Sequence, residues 1–94
     1  MYARVSTWCA NPEDFSVLDR EVANTVAQIK QQAGYIRGFE IQVASDTRMI
    51  ISFWRSESEM TEAFDASAAV IRSLMESGRL TLVDVKTGSV EEWV

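Results

Sequence analysis

At 94 residues, with 47% hydrophobic and 24% charged residues, the chain reads as a single globular domain spanning 1–94 with a small core. Nine basic against fourteen acidic residues leave a net charge of −5, which argues against a nucleic-acid partner and against an anionic membrane surface. The absence of His and the single Cys exclude a His/Cys zinc site within one chain, Ser-His-Asp and Cys-His catalysis, and an intrachain disulfide.

Tyr2 to Cys9 alternates as a first strand, with Ala3, Val5, Thr7 and Cys9 on one face and Tyr2, Arg4, Ser6 and Trp8 on the other. Asn11 is expected to cap a helix that has Pro12 at its first position and Asp14 in its first turn. That helix is expected from Pro12 to Ala33, burying Phe15, Leu18, Val22, Val26, Ile29 and Ala33, with Gly34 as its stop.

Tyr35-Ile36-Arg37-Gly38 leads into a second, one-sided strand, in which Phe39, Ile41 and Val43 alternate with Glu40, Gln42 and Ala44. A turn at Ser45-Asp46-Thr47 joins it to a third strand, Arg48 to Trp54, as a hairpin. The third strand is apolar on both faces: Met49, Ile51 and Phe53 point one way, Ile50 and Trp54 the other. Such a strand needs cover on both sides. The chain's own helices cover one face, and a second copy is expected on the other.

Ser56 and Glu59 form a capping-box pattern for a second helix, whose expected buried stripe is Met60, Phe64, Ala68, Ile71 and Met75 and whose end is Ser77-Gly78. A fourth strand is expected from Arg79 to Thr87, with Leu80 and Leu82 on one face, Val83 and Val85 on the other, and Gly88 as its break. The tail from Ser89 to Val94 carries Val90, Trp93 and Val94, and Trp93 is expected to pack on a partner subunit.

The order βαββαβ, with right-handed crossovers in each half, specifies an α+β, ferredoxin-like fold: a four-stranded antiparallel sheet with both helices on one face. Several residues have two readings. Trp54 is a core indole or a pocket wall, and Tyr35 is an edge residue or a phenol at a pocket mouth. Arg4 faces either a pocket or the partner subunit, with the interface favoured. Phe64 belongs to the core stripe but can line the same pocket. Cys9 reads as a small buried residue, and Glu57, Glu59 and Glu62 as a solvated helix start favoured by the dipole, not as a metal cluster.

Two stretches carry a resemblance: Phe53-Trp54-Arg55-Ser56 before a Glu-rich helix start, and Ala33-Gly34-Tyr35-Ile36-Arg37-Gly38-Phe39. Over essentially its whole length the chain resembles the antibiotic biosynthesis monooxygenase-like (ABM) family of dimeric α/β-barrel proteins. The resemblance implies a homodimer with sheets face to face and a pocket in each subunit between sheet and helices. Some members of that family oxidise polycyclic phenols to quinones without a cofactor. The resemblance therefore implies a cofactor-independent monooxygenase for a small aromatic or enolic substrate with Trp54 lining its pocket; Tyr35, Arg4 and Phe64 are further candidates by their own positions, and no metal is expected. Members that degrade haem use a His, which this chain lacks. Without His, the proton of a phenol must go to a solvent relay or a carboxylate of shifted pKa. The alternative is a non-catalytic, small-molecule-binding dimer; a further one is a purely structural dimer whose cavity is filled by side chains. The lone Cys and a strand-like start without a leader pattern lead to the expectation of a cytoplasmic protein.

Overall fold

Period-two and period-3.6 segments follow one another in the computed structural model as the sequence pattern requires. It describes residues 1–93, so Val94, part of the apolar tail, lies outside the described residues. The elements are β1 (Tyr2–Cys9), a 3-10 turn (Pro12–Asp14), α1 (Phe15–Lys30), β2 (Tyr35–Ala44), β3 (Thr47–Trp54), α2 (Glu57–Glu76) and β4 (Thr81–Ser89). The strands form one antiparallel sheet in the order β2-β3-β1-β4, the ferredoxin-like arrangement.

Residues paired across antiparallel strands share a face. Tyr2, Arg4, Ser6 and Trp8 lie opposite Trp54, Ser52, Ile50 and Arg48. Arg4, Ser6, Trp8, Ile50 and Arg48 line one cavity together with residues of both helices, so this is the helix-covered face. The expectation that favoured an interface position for Arg4 is thereby corrected: the parity that sends Trp54 beneath the helices sends Arg4 there too. The other face carries Ala3 and Val5 opposite Phe53 and Ile51, with Phe39 and Ile41 of β2 opposite Ile51 and Met49. It is open in the single chain: Phe39 is 52% and Ile41 44% exposed. The third strand is therefore two-sided, as its composition requires.

Several local expectations are corrected. Asn11 caps through its backbone carbonyl, which accepts the Asp14 N–H at 2.9 Å, and its side chain makes no cap hydrogen bond. The first α-helix ends at Lys30, not Ala33; tight bonds from the Gln31 and Gln32 N–H groups to Gln28 and Ile29 close it. Gly34 then takes φ +86°, and a Cβ there would meet the Glu59 side chain at 2.7 Å, so the position needs glycine twice over. Its carbonyl accepts the Arg55 N–H at 2.7 Å and ties the start of β2 to the end of β3.

At the start of α2, Ser56 Oγ accepts the Glu59 N–H at 3.3 Å, as the capping pattern predicts. The Glu59 carboxylate accepts instead from Arg55, at 3.1 and 2.6 Å, and from the Ser56 hydroxyl at 2.9 Å. In β4, a register shift opposite Thr7 and Trp8 places Leu82 beside Trp8 but Val85 beside Ser6, so Val85 shares the face of Leu82 rather than that of Val83. Gly88 does not break the strand; it pairs with Ala3, and the Val90 N–H bonds to the Met1 carbonyl at 2.9 Å. Trp93 is 92% exposed.

Candidate functional site

Side chains seal the space between sheet and helices in two places. Phe15, Leu18 and Leu74 form one cluster with Val22 and Leu80 against it; Trp54, Met60 and Ala63 form the other, flanked by Ile29, Tyr35 and Phe64. Between sheet and helices, and walled by members of both clusters, is a cavity of about 380 Å³. Short residues help to leave it hollow: Ser6 on the sheet and Ser67 on α2 are buried there, and Ala68 lies beside them. The helical stripes divide accordingly. Met60, Ala63 and Leu74 are buried away from the cavity, while Phe64, Ser67, Ala68, Ile71 and Met75 line it with Val22, Val26 and Ile29 of α1.

The wall is mostly apolar, and its polar groups are unequal in their commitments. Arg48 donates to Asp19 at 2.5 Å, Glu40 at 3.0 Å and Gln42 at 2.9 Å, with its guanidinium 4.0 Å from the Phe15 ring centre. The hydrogen bond to Asp19, foremost, and the two carboxylate charges raise the Arg48 pKa. Trp8 donates its indole N–H to Ser6 Oγ at 2.8 Å. Arg4 differs. Its guanidinium lies 4.1 Å from the Phe64 ring centre, yet among the described residues no carboxylate pairs with it and no side-chain hydrogen bond engages it. None of its nitrogens is sealed away without a partner, and the residue is part of the cavity wall. Burial lowers the Arg4 pKa, but an arginine stays charged.

The four residues singled out from the sequence form one chain of contacts, Arg4–Phe64–Trp54–Tyr35, and only the first two line the cavity. Trp54 is fully buried, donates its N–H to Ser52 Oγ at 2.9 Å, and meets Phe64 and Tyr35 edge-on at 5.7 and 5.5 Å between ring centres. The sequence reading passed over Arg48, Asp19 and Glu40 as wall residues. Strand parity places Arg48 with Ile50 and the hairpin register sets Glu40 opposite Ile50 on the same face, but Asp19 joins them only through the packing of α1 on the sheet. Among the described residues, no group of three His, Cys, Asp or Glu side chains is placed to hold a metal, and no helix is long and apolar enough to cross a membrane.

These elements define a ferredoxin-like α+β domain with an apolar cavity beneath its helices. No protein-family model matches the chain, and no curated protein matches it in sequence. Solved structures do match it in fold. A candidate antibiotic biosynthesis monooxygenase from Deinococcus radiodurans is 15% identical with a TM-score of 0.82, covering 100% of this chain and 96% of its own. SnoaB from Streptomyces nogalater, a cofactor-independent oxygenase, is 16% identical with a TM-score of 0.72, covering 99% and 95%. HapK from Hahella chejuensis is 10% identical with a TM-score of 0.76, covering 100% and 96%. The likeness to ABM proteins read from two short stretches is thus matched by a likeness of fold along the whole chain.

Proposed function

We propose that the chain is an ABM-like, cofactor-independent monooxygenase whose cavity takes a small aromatic or enolic substrate. The observation that carries this reading is the unpaired Arg4 guanidinium on a mostly apolar wall. An electron-rich phenol or enol, once deprotonated, reduces O2 directly. In the overall reaction a CH2 group becomes a carbonyl, taking one oxygen atom, and the second oxygen leaves as water with the two hydrogens. The protein's part is to exclude water, orient the ring and hold the oxyanion. Arg4 stabilises that oxyanion and Phe64 abuts the ring. Trp54 and Tyr35 position Phe64 from behind. The fold shared with an oxygenase that needs no cofactor supports this assignment.

The working unit in this proposal is a homodimer, with the open sheet faces of two copies against each other. The exposed Phe39 and Ile41, continuous with Ile51 and Phe53, support it.

A specific observation favours a second reading, a binding protein without chemistry: Asp19 and Glu40, the carboxylates of the wall, are both held by Arg48, so no free base faces the ligand. Oxygen uptake separates the two. With anthrone as substrate, the oxygenase consumes one O2 per quinone formed, and Arg4→Met abolishes it. Ligand-dependent stabilisation without O2 consumption across a panel of phenols would leave only the binding function.

A further inference from the structure

We infer that the ligand of this cavity is an apolar monoanion that arrives already charged, with a carboxylate seated on Arg4. The inference rests on the reading of the cavity as a small-molecule site, not on any oxidation taking place there, and it puts the ligand's own carboxylate on Arg4 in place of a phenolate or enolate oxygen. Three observations carry it. First, the wall holds three arginines, Arg4, Arg48 and Arg72, against two carboxylates, Asp19 and Glu40. With the exposed Arg72 set aside, Arg4 and Arg48 balance Asp19 and Glu40, so the wall is free of the net negative charge that the chain carries as a whole (−5) and does not repel an anion. Second, one positive charge of the wall is unanswered. Arg48 is committed to both carboxylates and Arg72 is an exposed residue, whereas Arg4 is half-buried, lines the cavity with Phe64 at 4.1 Å, and has no carboxylate partner among the described residues. A guanidinium fork in this setting fits a carboxylate in two parallel hydrogen bonds, strengthened by the apolar surroundings. Third, the wall offers no free base to create an anion after binding, because Asp19 and Glu40 each accept from Arg48. A ligand that brings its own charge needs none. Ile71, Met75 and Val26 then receive its apolar body.

The test is binding under anaerobic conditions, so that turnover plays no part. Benzoate, 2-naphthoate and anthracene-9-carboxylate are titrated against the purified protein, each beside its neutral carboxamide, with calorimetry as the readout. The expected result is that at least one acid binds roughly ten-fold or more tightly than its amide. Its affinity should stay flat from about pH 6 to about pH 9, since a carboxylate is ionised throughout that range. Arg4→Met should bring acid and amide within about two-fold of each other, and Arg4→Lys should keep part of the preference. Arg20→Gln, on the exposed side of α1, should change nothing. Equal binding of acid and amide, or a preference that survives Arg4→Met, overturns the inference and leaves the cavity as a neutral-ligand site. Affinity that instead rises with pH for 2-naphthol and exceeds that of every acid assigns Arg4 to a phenolate and also overturns it. If no acid and no amide binds, the underlying reading of the cavity fails as well. Failure of O2 uptake alone touches only the oxygenase.

Discussion

Trp54 and Trp8 stand on the same face of the sheet and make the same local bond, each donating its indole N–H to the serine two residues before it. One is fully buried; the other walls a cavity. The bond itself belongs to the strand, because residues two apart lie on one face. The difference belongs to the cover. Met60, Ala63, Phe64 and Tyr35 close over Trp54, whereas the chain leaves a hollow beside Trp8 and Arg4. On one face of one sheet, then, side chains fill the space around Trp54 and leave a hollow beside Trp8.

The largest effect expected from that division is at the sealed end. Trp54→Ala should cost about 3–5 kcal/mol in urea denaturation, the usual penalty for emptying a filled aromatic site. Trp8→Ala should cost roughly 1–2 kcal/mol, because part of that side chain already faces a cavity. Equal costs would break the comparison. On the opposite face of the same strand, Ile51→Glu should convert the proposed homodimer into a folded monomer in native mass spectrometry, with Trp54 undisturbed. A wild-type monomer would remove the partner from the proposal.

Beside Trp8 in the register stands Arg48, whose side chain is 18% exposed. Arg48→Met should destabilise by about 1 kcal/mol, less than Trp54→Ala, because Asp19 and Glu40 are each about half exposed and stay hydrated when released. If the carboxylates so freed speed O2 uptake, the absence of a base was the limit on the chemistry. The smallest effect lies at the start of α2. Hydrogen bonds from Arg55 and Ser56 hold the Glu59 carboxyl below its ordinary range. A carboxyl with a lowered folded-state pKa contributes its stability above the unfolded pKa and loses it as pH falls through the folded value. Acid should therefore fray the first turn of α2 before the sheet melts, and Glu59→Gln should abolish that step in a carbonyl NMR titration of this helix.

Much of the fold was legible in the residues, and for identifiable reasons. Met49, Ile51 and Phe53 against Ile50 and Trp54 announce a strand apolar on both faces, and Ser56 and Gly78 mark the limits of α2 by chemistry that acts within a few residues. Asn11 misled because its carbonyl, rather than its side chain, receives the bond. Gly88 misled because a strand edge beside Ala3 accommodates glycine once pairing is imposed from outside. Arg4 is the most instructive case. Alternation groups it with Ser6 and Trp8, and on that much the strand alone is unambiguous.

Which side of the sheet that group faces is set by where the helices land, since both faces of β3 are apolar enough to be covered. By itself, then, the sequence determined the order of elements, the faces of most strand residues, the limits of α2 and the absence of imidazole chemistry, all properties of neighbours along the chain. Only the tertiary structure decided that Arg4 turns inward without a partner, that Arg48 binds both wall carboxylates, and that short residues at Ser6 and Ser67 help to leave a hollow. Those depend on the distance between two layers, and no local pattern encodes it.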